Sequence, residues 1–168
     1  MKELLIKLLA FLGLAQAGMP LQEGQPAYLF TLKNHEGKLV SLTDYKGRWV
    51  VLYFYPKADT PGCTTQAKEY TKLMPQFEKL GVKVFGISTD TVEKIAKFRK
   101  KYNLSVEFLS DPEGSVAKAY GVTLIAGFCS RDTVIINPSL KVEKIYRGVD
   151  PSSDPQRVLD YIKNKVKS

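Results

Sequence analysis

Apolar and polar positions in this chain follow two different periods, and the changes between them mark its elements. Ala27 to Leu32 and Lys38 to Leu42 lie on either side of Asn34-His35-Glu36-Gly37 and read as a hairpin around a turn. Trp49 to Tyr55 (WVVLYFY) is an unbroken β-branched and aromatic run, as expected of a strand buried on both faces. Ala67, Tyr70, Leu73, Met74, Phe77 and Leu80 then recur at spacings of three and four up to Gly81. That is a helical stripe, with Pro75 inside it as a kink site. Val82 to Ser88 predicts a second buried strand. Thr91 to Tyr102 predicts a helix, with Asp90 and Glu93 at capping-box spacing. Phe108 to Ser110 reads as a short strand, and Ser115 to Tyr120 as a short helix ended by Gly121. Thr133 to Ile136 and Val142 to Tyr146 flank Asn137-Pro138-Ser139 as an antiparallel hairpin. A last helix opens at Asp154, with Pro155 in its first turn and Val158, Leu159, Ile162 and Val166 on one stripe.

The order is a hairpin, then β-α-β-α-β-α, then β-β-α. Strand–helix alternation implies a parallel core with helices on both faces, and the closing hairpin adds antiparallel strands. The expected class is α/β: a thioredoxin-like fold with a central mixed β-sheet flanked by helices and an N-terminal β-hairpin. No repeat, low-complexity tract or linker divides residues 18–168, which read as one domain. Residues 1–17 (MKELLIKLLAFLGLAQA) stand apart. The apolar stretch from Leu8 to Ala15, followed by Ala15-Gln16-Ala17, matches an export signal cleaved before Gly18, which would place the mature protein in the periplasm. Glu3 and Lys7 fit that pattern poorly. The competing reading is an amphipathic N-terminal helix on a cytoplasmic protein.

Composition narrows the function. With 44% apolar and 25% charged residues the 168-residue chain is an ordinary globular one, and no apolar run reaches the roughly 18 residues of a membrane span. The net charge is +8. The lysines are scattered, however, and the densest stretch, Lys94 to Lys101, interleaves with Ile95, Ala96 and Phe98 like the wet face of an amphipathic helix. Neither a nucleic-acid partner nor, after signal cleavage, a membrane is expected. Two cysteines and one histidine cannot complete a four-ligand Cys/His zinc site, and no metal or cofactor is expected. The sole histidine, His35, sits in the first turn and reads as solvated rather than as part of a triad.

The chemistry gathers in Tyr55-Pro56-Lys57-Ala58-Asp59-Thr60-Pro61-Gly62-Cys63-Thr64-Thr65-Gln66. Cys63 falls where loop becomes helix. Free backbone N–H groups and the positive end of the helix dipole favour a thiolate there, hence a nucleophile. On the residues alone, a small buried apolar role for Cys63 is an equal reading. Pro56, Thr60 and Cys63, however, resemble the Pro-x-x-x-Thr-x-x-Cys active-site motif of peroxiredoxins. The longer string YFYPKADTPGCTTQA is similar to the bacterioferritin-comigratory-protein, or peroxiredoxin Q, group. The similarity runs from about Gly24 to the C-terminus and includes Asp44-Tyr45-Lys46-Gly47, Gly86-Ile87-Ser88-Thr89-Asp90 and Ser110-Asp111-Pro112.

The resemblance implies a thiol peroxidase that reduces hydrogen peroxide and organic hydroperoxides. Cys63 would attack the peroxide and become a sulfenic acid. Thr60 would set its hydroxyl against thiolate and peroxide, Pro56 would shield the pocket from water, and Gly62 would support the motif. Arg131 matches the family's arginine beside the thiolate, and Gln66 the glutamine that buttresses it. A thioredoxin-like or other dithiol reductant is the implied partner, and the chain would be a monomer or homodimer.

Many members of the group carry a resolving cysteine five residues after the first, and here that position is Lys68. The only other thiol is Cys129, two residues before Arg131. Strand alternation would put both on one side if both lie in the strand. Three readings stand: Cys129 resolves the sulfenate as an intramolecular disulfide, an outside thiol does so, or Cys129 is buried without a role. Two other functions compete with peroxidase. A disulfide reductase would need a Cys-x-x-Cys, which Thr64, Thr65 and Gln66 deny it. A non-catalytic binder or holdase would have no use for Pro56, Thr60, Cys63 and Arg131 together.

Overall fold

A computed structural model describes residues 20–167, so residues 1–17, read above as an export signal or an amphipathic helix, lie outside the described residues. Strands β1 (Thr31–Asn34), β2 (Leu39–Ser41), β3 (Val50–Phe54), β4 (Lys83–Ser88) and β5 (Glu107–Ser110) come first. A small hairpin, β6 (Leu124–Ile125) and β7 (Phe128–Cys129), then precedes β8 (Thr133–Ile136) and β9 (Val142–Tyr146). All but β6 and β7 form one sheet in the order β2-β1-β5-β4-β3-β8-β9. β3, β4 and β5 run parallel, and the other pairings are antiparallel. Every residue of β3 is buried, as a central strand with neighbours on both edges and layers on both faces must be.

Alternate residues of β3 divide the core in two. Val51 and Tyr53 face a cluster closed by helices α1 (Pro61–Lys79), α2 (Val92–Lys101) and α4 (Asp154–Lys167). Val50, Leu52 and Phe54 face a second cluster with α3 (Ser115–Ala119) and the N-terminal arm. This is the expected thioredoxin-like α/β architecture. In α1 the apolar stripe is buried as its spacing requires, and the helix continues through Pro75, which is exposed and has no N–H to donate. In α2, Ile95 and Phe98 are buried while Lys94, Lys97, Lys100 and Lys101 face water.

Four local readings need correction. The first hairpin is shorter than its alternation suggests: the Ala27 N–H is taken by the Leu140 carbonyl at 2.9 Å, and Pro26 bridges to Lys141, so pairing with β2 begins only at Thr31. His35 is not solvated. Its side chain is 10% exposed and its Nδ1 accepts the Phe108 N–H at 3.3 Å, docking the β1–β2 turn on β5. The cap of α2 is Thr91, whose Oγ1 accepts from Lys94 N, whereas Asp90 turns back to the Ala58 N–H (2.8 Å) and Ser88 Oγ (2.9 Å). The fourth is the unexpected β6–β7 hairpin. It turns through Ala126 and Gly127, both at positive φ, the twist that suits a two-residue turn.

Candidate active site

The parallel strand β3 ends at Phe54, and the chain then runs through Tyr55–Thr60 into α1, putting the motif at the carboxyl end of the sheet. β8 lies antiparallel beside β3, with Tyr53 opposite Thr133 and the Phe54 N–H donating to the Asp132 carbonyl at 2.8 Å. That register brings the residue before Asp132, Arg131, to the same end of the sheet as Cys63.

Thr60 is the N-cap of α1 in extended conformation, and Pro61 opens the helix where a missing N–H costs nothing. The Thr60 carbonyl accepts from Thr64 N (2.9 Å) and Thr64 Oγ1 (2.8 Å), which closes the first turn around Cys63. Upstream, Asp59 adopts φ 63°, uncommon for a side-chain-bearing residue, and is tied down by Lys101 Nζ at 2.8 Å and the Tyr102 hydroxyl at 2.5 Å. Both bonds stabilise its carboxylate and hold its pKa below the usual value.

The Cys63 thiol is buried in the α1-side core. Arg131 Nη1 and Nη2 each stand 3.6 Å from its Sγ, so the guanidinium fork straddles the sulfur. Nη1 also donates to Gln66 Oε1 at 2.8 Å. Gly62 leaves room for the fork: a Cβ there would come within 2.9 Å of Arg131 Nη2. Cys63, Arg131, Gln66 and Gly62 are therefore brought together as expected. Pro56 is half-buried in the loop that leads to them. Thr60 differs from expectation in one respect, because its hydroxyl donates to the Lys57 carbonyl at 2.7 Å and its proton is already committed.

Cys129 is not in that group. It belongs to β7 rather than to the strand after Arg131, and packs in the core on the opposite side of the sheet from Cys63. Burial pushes its thiol up to about 12, and Asp111, Asp90 and Asp132 add to the shift. The expectation that Cys129 and Arg131 share one strand fails because Ser130, Arg131 and Asp132 form a non-strand link between β7 and β8.

In the sequence Asp154 carries no mark beyond that of a helix start. Its Oδ2 accepts from Gln66 Nε2 (3.1 Å), Tyr70 Oη (2.7 Å) and Thr133 Oγ1 (3.0 Å), and the residue has no exposed surface. Burial raises its pKa, and those three hydrogen bonds oppose the rise. Among the described residues no group of three or more His, Cys, Asp or Glu side chains could hold a metal ion.

Residues 24–145 match the model of the AhpC/TSA family. The Peroxiredoxin Bcp of Escherichia coli is 37% identical over 151 residues, spanning 86% of this chain and 97% of that protein. Peroxidoxin BcpB from Mycobacterium tuberculosis superposes with a TM-score of 0.79 at 30% identity, over 86% of this chain and 97% of that one. The bacterioferritin comigratory protein of Xanthomonas campestris, whose structures concern alkyl peroxide reduction, gives 0.77 at 28% identity, over 82% and 92% of the two chains. With an arginine fork on a helix-start cysteine and these relatives across nearly its whole described length, the chain belongs to the AhpC/TSA family as a peroxiredoxin of the Bcp type, a thiol peroxidase.

Proposed function

We propose that this protein is a one-cysteine peroxidase, in which Cys63 attacks hydroperoxides and an outside dithiol regenerates it. The observation that carries the reading is the pair of Arg131 nitrogens at 3.6 Å from Cys63 Sγ. As thiolate, Cys63 attacks the distal peroxide oxygen. The S–O bond forms as the O–O bond breaks, the sulfur is oxidised to sulfenic acid, and the departing oxygen takes a proton from solvent to leave as alcohol or water. The fixed charge of Arg131 holds the thiolate and meets the charge developing on the departing oxygen. Thr60 Oγ1, its own O–H donating to the Lys57 carbonyl, accepts from the peroxide O–H, and Pro56 limits water at the entrance.

The opposite-side burial of Cys129 and its raised pKa support an outside resolving thiol. The first thiol of the reductant attacks the sulfenic sulfur, expels water and forms a mixed disulfide. Its second thiol closes its own disulfide and returns Cys63 reduced. The alkyl peroxide reduction described for the Xanthomonas protein supports organic hydroperoxides as substrates beside hydrogen peroxide. Ala15-Gln16-Ala17 supports a mature protein that begins at Gly18 and works outside the cytoplasm.

The test is peroxide consumption with a dithiol reductant. Cys63→Ser abolishes turnover with the fold intact, and Arg131→Lys, which keeps the charge but loses the fork, slows it severely. Substantial turnover by Cys63→Ser would overturn the reading. A disulfide reductase or a holdase would show no peroxide consumption in the wild type.

A further inference from the structure

The fork of Arg131 is held by Gln66, and Gln66 is a side chain with two unlike ends. Its carbonyl end faces Arg131 Nη1 at 2.8 Å, and its amino end faces Asp154 Oδ2 at 3.1 Å. Arg131 can only donate, and Asp154 Oδ2, which also takes the Tyr70 and Thr133 hydroxyls, accepts, so this orientation satisfies both partners and the reverse satisfies neither. We infer that Asp154 is a positioning residue for the peroxidase: by fixing which end of Gln66 faces Arg131, it holds the guanidinium on Cys63. The inference rests on the role given above to Arg131.

The surroundings make the arrangement directional. Tyr70 Oη and Thr133 Oγ1 donate to the same Oδ2, fixing the carboxylate from α1 and from β8. Gln66 and Tyr70 lie one turn apart on the helix that carries Cys63, and Thr133 lies two residues after Arg131. Asp154 therefore joins the two elements that must stay in register for the fork to meet the sulfur. Among the described residues its other oxygen has only Arg157 Nη2, at 3.7 Å. A fully buried carboxylate is expensive to desolvate, and a requirement for acceptor-only chemistry explains its use here.

Swapping the chemistry of the pair tests the inference. Gln66→Glu places carboxylate against carboxylate and should slow the reaction of Cys63 with hydrogen peroxide about tenfold, the scale expected when a reacting group loses its alignment. Adding Asp154→Asn restores a donor opposite the new carboxylate, and the double variant should recover most of that loss. Alkylation of Cys63 by iodoacetamide at alkaline pH, which needs no aligned guanidinium, should stay within about twofold of wild type in both proteins. Thermal unfolding of each protein confirms that folded species are compared. A double variant as slow as Gln66→Glu, or slower, overturns the inference, as does Gln66→Glu at the wild-type rate. Arg131→Lys run alongside separates the two readings. If it reacts normally, the assigned role of Arg131 is wrong; if it is slow while the double variant shows no recovery, only the role of Asp154 falls.

Discussion

Gly62→Ala would add one methyl group against Arg131. Its Cβ would lie 2.9 Å from Nη2 and 3.6 Å from Cζ, with Pro151 Cγ at an ordinary 3.7 Å. Non-bonded heavy atoms settle at about 3.5 Å or more, so the guanidinium must retreat by roughly half an ångström. The guanidinium ends a flexible chain, so the retreat costs the fold little, while alanine improves on glycine within a helix by up to about 1 kcal/mol. Stability should therefore hold or rise slightly. Reactivity should not, because the two 3.6 Å contacts to Cys63 Sγ depend on where the fork sits. Misplacement of a catalytic group by about 1 Å costs up to about a hundredfold, so half that shift should lower the second-order rate with peroxide by about tenfold. Stopped-flow peroxide consumption under excess dithiol, read beside a thermal melt, checks both halves. A folded Gly62→Ala protein with the wild-type rate would mean that the fork position does not govern catalysis. A strongly destabilised one would mean that the helix start, not Arg131, yields to the methyl.

Three further outcomes are expected. Cys129→Ser should keep its peroxidase activity with a dithiol, and wild type given one equivalent of peroxide without thiol should gain oxygen in intact mass spectrometry; loss of two hydrogens would reveal a Cys63–Cys129 bond. Burial, with help from Arg99, lowers the His35 pKa, so the unfolded chain binds the proton more readily and stability contributed by neutral His35 is lost as pH falls below the unfolded value of about 6.5. Thermal melts of wild type and His35→Gln should thus converge between pH 7 and pH 5, roughly the range over which a free histidine titrates, and parallel curves would count against it. N-terminal sequencing of protein from the cell envelope should begin at Gly18, and an intact Met1 in the cytoplasmic fraction would refute export.

The periodic elements were legible because burial imposes period on sequence: the unbroken run of β3 and the three-and-four stripe of α1 leave few alternatives. Cys63, Thr60 and Pro56 were legible as a local string with a strand before it and a helix after it. Other features were not local. His35 reads as a turn residue until β5 is laid beside it, because its partner Phe108 is 73 positions away. β6–β7 turns through an alanine at positive φ, which carries no signal of the kind glycine or asparagine gives. Asp154 resembles any helix-opening aspartate, and only the closed fold shows that its side chain accepts from Gln66, 88 residues earlier. Cys129 and Arg131 escape strand alternation because strand boundaries, unlike strand centres, leave little trace in sequence.

The antiparallel seating of β8 on β3 means that the active site is assembled from distant stretches of chain, with Arg131 reaching the sulfur 68 residues after Cys63. A ribosome adds about 5–20 residues per second, so Cys63 is made roughly 3–14 s before the arginine proposed to activate it. Throughout that interval the thiol belongs to an incomplete chain with no fork across it. If that proposal holds, heightened reactivity toward oxidants arrives only once β8 has joined the sheet. On the role proposed for Arg131, unfinished or unfolded copies carry an ordinary thiol, and a peroxide-seeking sulfur exists only in molecules able to use it.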